Sequence, residues 1–244
     1  MPDTRAHRGP HPEDAELFHP SNWPALQSAV ADYSWLLGRG YASPSAIKVV
    51  GDRYMLNQRQ RMAVVRSSCT DAERENRLSR EVQPHQLANQ NLAIDGFNVL
   101  TTIEVALGHG VILAARDGAY RDIASVHGTY RKVEETRPAV NLTLAAIRNL
   151  RPSHTCIYLD SPVCNSGRLA SVIAEVATEI GIPCDVLLVP NPDTILMGSP
   201  DVVATADSVI LDGARHWLNF ARHVVDSIAP SVAIVPMAEA SGPG

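Results

Sequence analysis

The sequence predicts an α/β fold with a parallel central sheet, preceded by a small, mainly α-helical module. In the second part of the chain, short apolar runs of buried-strand type alternate with amphipathic helical patterns. This alternation is typical of parallel sheets whose strands are joined by helices. The first part shows helical spacing of its apolar residues and little strand pattern. We therefore expect a helical N-terminal module over residues 10–80 and an α/β domain over residues 91–237.

The helical module is predicted from apolar spacing and from residues that begin or end helices. Between Leu26 and Leu37, apolar side chains recur at helical spacing, Pro24 suits the first turn, and Gly38 ends the pattern. The start of the chain is rich in Pro, His and Arg, which favours a loose tail. We predict helices at 12–18, 24–37 and 57–67, a short strand at 47–50, a tail at 1–11 and a linking helix and loop at 70–90.

The α/β domain is predicted from five apolar runs that are separated by helical patterns. Gly108 and Gly181 end two of the helices, and Pro138 suits the first turn of another. Residues 111–114 could form a further strand, and the polar stretch up to residue 137 has no firm assignment. The predicted strands are 92–94, 154–159, 184–189, 202–206 and 231–236, and the predicted helices are 98–107, 138–150, 166–180 and 214–228.

The overall charge argues against a general polyanion-binding protein. The chain has a formal net charge of −5 and a pI of about 6.0. Between residues 48 and 66, however, basic side chains outnumber the single acid Asp52. A local basic face of this kind can contact phosphates, and a solvated helix face explains the pattern equally well. The candidates for phosphate contact in this region are Arg53, Arg59 and Arg61.

Cysteine usage and hydropathy indicate the compartment. The chain contains 4 cysteines, without zinc-ligand spacing and without the pattern of a disulfide framework. The polar first residues lack the apolar segment of a signal peptide, and no apolar stretch approaches the length of a membrane span. We therefore expect a cytoplasmic protein without a membrane partner.

Three aspartates lie where predicted strands end. Asp95 follows 92–94, Asp160 follows the strand at 154–159, and Asp207 follows the strand at 202–206. The carboxyl ends of neighbouring parallel strands line one crevice, so these carboxylates are expected to converge and to repel one another. A divalent cation relieves such repulsion, and Mg²⁺ or Mn²⁺ prefers oxygen ligands of this kind. The pattern therefore predicts a metal-dependent hydrolase.

Polar residues beside these aspartates are candidates for substrate contact, each with a plainer alternative. Asn98 and Thr205 could orient a phosphate or a carboxylate, although Asp95 could equally form an Asx turn that stops its strand. Asp212 could be a further catalytic group or a helix cap. The loop after Asp160 could bind an anion at a helix N-terminus, or could be an ordinary strand-to-helix connection. Its candidate residues are Ser161, Asn165 and Arg168.

Several common catalytic patterns do not occur in this sequence. There is no Walker A sequence, no Gly-x-Gly-x-x-Gly after the first strand and no Gly-x-Ser-x-Gly elbow. The use of ATP or of a dinucleotide is therefore not supported. A Ser/His/Asp triad that lacks this elbow stays open.

Two short motifs resemble the PIN-like nucleases, especially the NYN branch. They are Ile94-Asp95-Gly96-Phe97-Asn98, with an Asp and a nearby Asn at the first strand, and Thr205-Ala206-Asp207, which is similar to the Thr-x-Asp element of these proteins. The resemblance covers about residues 91–237 and implies a three-layer α/β/α domain. It also implies Mg²⁺- or Mn²⁺-dependent cleavage of RNA, with metal ligands at Asp95, Asp160 and Asp207.

The chain departs from the PIN-like pattern at one position. These nucleases usually carry another acid on a helix in the middle of the domain, and the predicted helix at 138–150 has none. Glu104 or Asp212 would have to replace it, or the site would bind a metal weakly.

A second resemblance covers nearly the whole chain. It is to a prokaryotic family called domain of unknown function 434, with its companion C-terminal domain, and it implies no activity. The motifs that carry it are Arg39-Gly40-Tyr41, Val50-Gly51-Asp52-Arg53-Tyr54, Arg59-Gln60-Arg61, Ile94-Asp95-Gly96-Phe97-Asn98 and Asp160-Ser161-Pro162.

The sequence thus predicts a metal-dependent ribonuclease with RNA as its partner, and it leaves a homo-oligomer open. Two alternatives differ in class. The first is a Mg²⁺-dependent phosphohydrolase of a small phosphate ester. The haloacid-dehalogenase pattern of that class needs an Asp at position 97, where this chain has Phe97. The second alternative is a nucleic-acid-binding module without catalysis.

Overall fold

A computed structural model describes residues 7–123, 130, 132–228 and 232–239. Helices dominate the first part of the chain, as predicted. Two of them begin with complete capping boxes, Asn57 with Gln60 and Thr70 with Glu73, which satisfy backbone N–H groups that have no partner within the helix. The helices are α1 (Asp14–Leu17), α2 (Trp23–Gly38), α3 (Ser43–Arg53), α4 (Gln58–Ser67) and α5 (Asp71–Ser79), with short 3₁₀ turns at Pro20–Asn22 and Pro84–Gln86.

The predicted strand at 47–50 is wrong, because these residues lie inside α3. Ala46 and Val50, which are four positions apart, form the buried face of this helix. The apolar residues between them resemble a short strand when read alone, and only the longer period reveals the helix.

The α/β domain is built on a five-stranded parallel sheet with the order β5-β4-β1-β6-β7. The four predicted strands from 92–94 to 202–206 belong to it, and the fifth member, β7, was not predicted as a strand. The strands of the main sheet are β1 (Asn91–Asp95), β4 (His154–Asp160), β5 (Asp185–Val189), β6 (Val202–Ala204) and β7 (His216–Leu218).

A separate three-stranded sheet has the order β3-β2-β8. Its strands are β2 (Val111–Ala114), β3 (Tyr120–Asp122) and β8 (Ala233–Pro236). The predicted strand at 231–236 therefore does not extend the main sheet, because β8 pairs with β2. Within the predicted strand, residue 231 lies outside the described residues.

The helices of the α/β domain cover both faces of the main sheet. Leu92 and Ile94 of β1 point to one face, in a core that includes α6, α7, α8 and α11, whereas Ala93 points to the other face, toward α9 and α10. This alternation follows from the two-residue period of a strand. The helices are α6 (Gly96–Leu107), α7 (Thr136–Leu150), α8 (Ser166–Ile180), α9 (Pro192–Gly198), α10 (Ser208–Gly213) and α11 (Phe220–Ile228).

The segment that joins the two parts of the chain lies along the β7 edge of the main sheet. Glu81 forms a parallel bridge with Trp217, and the Val82 amide donates to the Trp217 carbonyl over 2.7 Å. Trp217 was predicted within a helix at 214–228. The structure places it in β7, with no exposed surface, and the helix begins only at Phe220.

The helical module packs against the small sheet. Its core includes Leu26 and Val30 of α2 together with Leu113 of β2 and Val235 of β8. The predicted loose tail at 1–11 is corrected for the part that the structure describes, because Arg8 donates to the buried Glu104 of α6 over 2.9 Å. Residues 1–6 lie outside the described residues.

Gly96 lies where α6 approaches strand β4 closely. A Cβ atom at this position would lie 2.6 Å from Leu159 Cδ2 and 2.8 Å from the Tyr158 carbonyl oxygen. Because the carbonyl belongs to a strand inside the sheet, it has little freedom to move. The absence of a side chain at position 96 therefore allows β1 to turn directly into α6.

We predict that Gly96→Ala lowers the free energy of unfolding by about 1–3 kcal/mol, the usual cost of overpacking a core. Gly167→Ala is the matched control, because its Cβ would meet nothing closer than Leu188 Cδ1 at 4.0 Å. Urea unfolding of both variants measures the difference. Equal stability of the two variants would contradict the close packing at Gly96.

Candidate functional site

The carboxyl ends of β1 and β6 form a crevice at the centre of the main sheet. From β1 the chain proceeds to β4 and β5 on one side, and then crosses to β6 and β7 on the other side. Ligands in open α/β sheets bind at such a reversal of strand order. Asp95 ends β1 at this point, and residues 205–207 follow β6.

Four of the predicted site residues are joined there by hydrogen bonds. Thr205 Oγ1 donates to Asp95 Oδ2 over 2.8 Å, and it accepts from the Asp207 amide over 3.0 Å. Asn98 Oδ1 accepts from the Ala206 amide over 2.8 Å, and the Asn98 amide donates to Asp95 Oδ1 over 3.4 Å. The structure therefore brings together Asp95, Asn98, Thr205 and Asp207 at the predicted edge of the sheet.

Asp95 is a buried carboxyl group that accepts hydrogen bonds from the Thr205 hydroxyl and the Asn98 amide, neither of which is cationic. Only 9% of the residue is exposed. The pKa of Asp95 is raised to about 7, chiefly by burial; the charges of Asp207 and Asp193 contribute to the rise, and the hydrogen bonds from Thr205 and Asn98 oppose it. A carboxyl group with this pKa is partly protonated near neutral pH, which is typical of functional sites.

Asp193 is a fourth acid near this crevice, and the sequence reasoning missed it. It lies in the first turn of α9, just after β5. Burial raises the pKa of Asp193, and the charge of Asp207 raises it further. Burial likewise raises the pKa of Asp160 at the end of β4, with Asp193 as the second cause. Electrostatic repulsion therefore connects four carboxyl groups at this crevice, those of Asp95, Asp160, Asp193 and Asp207.

These four carboxyl groups do not form a closed metal cage. Among the described residues, no group of three His, Cys, Asp or Glu side chains is arranged to hold a metal ion. Coordination of one ion by Asp95, Asp160 and Asp207 therefore stays a prediction. The donor type still suits Mg²⁺, which is commonly held by one or two carboxylates and keeps several water ligands. A cation at the crevice would also offset the repulsion that raises the pKa of Asp95.

Asp212, predicted as a catalytic residue, makes a different contact. It lies near the end of α10, and its carboxylate accepts from Arg77 Nε over 2.8 Å. Glu104, the other suggested replacement acid, is fully buried and bonds to Arg8, Tyr130 and Thr136. Both acids therefore have structural partners, and Asp193 is the better candidate for the additional acid.

The predicted arginine face is occupied by ion pairs within the helical module. Arg59 Nη2 donates to Asp14 over 2.9 Å, and Arg61 Nη2 donates to Asp52 over 2.7 Å. Arg53 lies 3.4 Å from Asp32 and stacks on the ring of Tyr54. The contacts of Arg59 and Arg61 stabilise the module itself, and only Arg53 is largely exposed, at 69% of its side chain.

The other residues predicted to contact a phosphate follow Asp160, in the loop between β4 and α8 and in the first turn of α8. Ser161 and Arg168 are exposed. Asn165 precedes α8 in a left-handed conformation and makes no side-chain hydrogen bond that caps this helix. Its side-chain amide instead donates to the Tyr130 carbonyl over 2.9 Å. Arg168 thus lies beyond the loop, exposed in the first turn of α8.

Comparison with known proteins identifies the family. Residues 84–223 match the family described as domain of unknown function (DUF5616). The chain belongs to this family. Residues 25–80 match the family described as protein of unknown function (DUF434), which confirms the resemblance seen in the sequence.

One relative is similar to this chain over most of its length. The chain is 31% identical to the uncharacterized protein MJ0935 of Methanocaldococcus jannaschii over 208 residues, which cover 85% of this chain and 97% of that protein. No solved structure matches the chain. Within the described residues, no helix has both the length and the apolar character needed to cross a membrane.

The burial of Asp95 predicts a specific dependence of stability on pH. Because the pKa of the folded state, about 7, lies above the usual 3.8, the folded state binds the proton more tightly than the unfolded state. The contribution of Asp95 to stability therefore falls as pH rises from about 4 to about 7. We expect a loss on the order of 2–4 kcal/mol across this range, and Asp95→Asn should lack it.

Unfolding free energies at pH 4.5 and pH 8 measure this effect. Asp201→Asn is the control, because Asp201 precedes β6 at the opposite end of that strand and accepts a hydrogen bond from Asn91. It should keep the pH dependence of the wild type. The same pH dependence in Asp95→Asn and in the wild type would show that the pKa of Asp95 is not raised in the folded state.

Proposed function

We propose that this protein is a divalent-metal-dependent nuclease that hydrolyses phosphodiester bonds of RNA at the crevice between β1 and β6. The observation that carries the proposal is the bond between Asp95 and Thr205. It joins the two motifs that resemble PIN-like nucleases, which lie 110 residues apart in the sequence. The two motifs thus meet at the carboxyl ends of parallel strands, where ligands bind in open α/β sheets.

The cluster of acidic side chains supports the proposal that a cation binds at this crevice. A phosphodiester is negatively charged, so it would be repelled by Asp95, Asp207, Asp160 and Asp193 unless a cation intervenes. When bound, Mg²⁺ or Mn²⁺ would activate a water molecule and neutralise charge on the phosphate. Asp95 and Asp207 would hold the ion, and Asp160 and Asp193 would contact it directly or through its water ligands.

The remaining residues of the crevice have positioning roles. Thr205 fixes one carboxylate oxygen of Asp95, and its hydroxyl also accepts from the Asp207 amide. Asn98 uses Oδ1 to hold Ala206, so its NH₂ group is the part that would meet a phosphate. Arg168, which is exposed at the start of α8, would contact the RNA backbone on the β4 side.

A nucleic-acid-binding module without catalysis is the second candidate. It is favoured by the lack of a ready-made three-ligand metal group among the described residues. A haloacid-dehalogenase-like phosphohydrolase is disfavoured, because Phe97 occupies the position of the second aspartate and packs against Tyr130 with ring centroids 5.2 Å apart.

We predict that Asp95→Asn lowers Mn²⁺-dependent cleavage of a labelled single-stranded RNA by at least about 100-fold, because it removes a charge that holds the cation. Asp193→Asn should lower the rate less and should raise the Mn²⁺ concentration needed for half-maximal activity. Asp201→Asn should cleave like the wild type. Product length on denaturing gels and initial rates across a Mn²⁺ series provide the measurement.

The outcomes separate the two candidates. RNA that is bound but keeps its length after long incubation with Mn²⁺ would support the non-catalytic module. Cleavage by Asp95→Asn at the wild-type rate would reject the assignment of the crevice as the catalytic site.

A further inference from the structure

A buried ion-pair cluster lies behind the crevice and includes residues that the proposed mechanism does not use. Asp117, in the turn between β2 and β3, accepts from Arg77 Nη1 over 2.6 Å and from Arg121 Nη2 over 2.7 Å. The exposed fractions are 2% for Arg77, 1% for Asp117 and 6% for Arg121. The two arginines hold the pKa of Asp117 at about 2, so the cluster is charged at neutral pH.

Arg121 connects this cluster directly to the crevice. Its Nε atom donates to the Ala206 carbonyl oxygen over 2.7 Å. The backbone amide of Ala206 donates to Asn98 Oδ1 over 2.8 Å. Ala206 is therefore held through both of its backbone polar groups, and its two neighbours, Thr205 and Asp207, carry the side chains of the site.

Residues 205–207 need such support, because they belong to no regular element. Strand β6 ends at Ala204, and α10 begins at Ser208. Ala206 is nevertheless buried, with only 2% of its surface exposed. A buried carbonyl without a partner would be costly. The guanidinium of Arg121 satisfies it and also bonds Asp117, which fixes the orientation of the arginine.

The helical module supplies the second cation of the cluster. Arg77 belongs to α5, and besides Asp117 it contacts Asp212 over 2.8 Å. Its own carbonyl accepts from Trp217 Nε1 over 2.7 Å. Arg77 therefore links α5 to the turn before β3, to α10 and to β7.

We propose that Arg121 is a positioning residue of the crevice, and that Arg77 makes the helical module part of the scaffold that places Thr205 and Asp207 against Asp95. The effect on catalysis rests on the proposed nuclease function. The effect on the geometry of residues 205–207 does not, so the two can be tested separately.

Arg121→Lys is the decisive variant. Lysine keeps a positive charge beside Asp117, so the protein should fold, but it lacks the planar group that reaches two acceptors at once. Hydrogen–deuterium exchange of peptides covering residues 203–210 should be at least about tenfold faster than in the wild type. The kcat for RNA should fall by about 10- to 100-fold with KM changed less than about twofold, since misplacement acts on the reacting geometry.

Val64→Ala is the matched control, because Val64 is fully buried in the core of the helical module, away from the crevice. It should lower the thermal stability without a change in kcat or in the exchange of residues 203–210. If Val64→Ala produces the same changes as Arg121→Lys at equal loss of stability, Arg121 has only a general structural role and the proposal is overturned.

Arg77→Met tests the part played by the helical module. We expect faster exchange of residues 203–210, smaller in extent than in Arg121→Lys, because Asp117 keeps one arginine. Wild-type exchange in Arg77→Met would reject the role of the module, and wild-type exchange in Arg121→Lys would reject the proposal as a whole. If the wild type cleaves no RNA, the nuclease proposal fails, while the exchange measurements still decide the positioning role.

Discussion

The structure depends on the pairing of one buried aspartate, Asp117, with two arginines from different parts of the chain. Arg77 comes from the helical module, and Arg121 comes from the small sheet. Removing one partner of a buried ion pair is strongly destabilising, because the other charge stays behind in a poorly solvated place. The cluster therefore couples the helical module, the small sheet and the segment after β6.

Asp95 and Asp117 show how neighbours decide the chemistry of similar side chains. Both are buried, yet the pKa of Asp95 is about 7 and that of Asp117 is about 2. Asp117 has two guanidinium partners, whereas Asp95 has a hydroxyl group, a backbone amide and other acids nearby. Asp117, whose charge is paired with two arginines, stabilises the fold. Asp95, a buried carboxyl group at the end of a central strand that bonds to no arginine or lysine among the described residues, is a candidate for ligand binding. This contrast, more than the number of acids, distinguishes the crevice from the cluster behind it.

The sequence was sufficient for four of the five strands of the main sheet and for the strand ends that carry Asp95 and Asp207. Buried parallel strands are continuous apolar runs, and the fold places their carboxyl ends together. Asp193 was missed, although it also follows a strand of the main sheet, because Pro190, Asn191 and Pro192 separate it from β5. The ion pairs of Arg59 with Asp14 and of Arg61 with Asp52 could not be predicted, since a run of basic residues does not reveal which acids approach it in the folded chain.

Short elements were the other source of error, for a physical reason. Strands β3 and β7 contain 3 residues each, too few to show a period, and their pairing partners are distant in sequence. The positioning role of Arg121 could not be predicted either. Its bond to the Ala206 carbonyl spans 85 residues and involves a backbone atom that every residue possesses.

The bridge between Glu81 and Trp217 has a consequence for how the two family regions can be separated. The boundary between the matches at residues 25–80 and 84–223 coincides with a peptide that lies along the β7 edge of the main sheet. A protein fragment that begins after this peptide would expose the edge of β7 beside the indole ring of Trp217. Unpaired sheet edges are prone to self-association. The two matched regions are therefore parts of one folded structure, and a fragment that begins at residue 84 would lack Glu81 and Val82, which pair with Trp217.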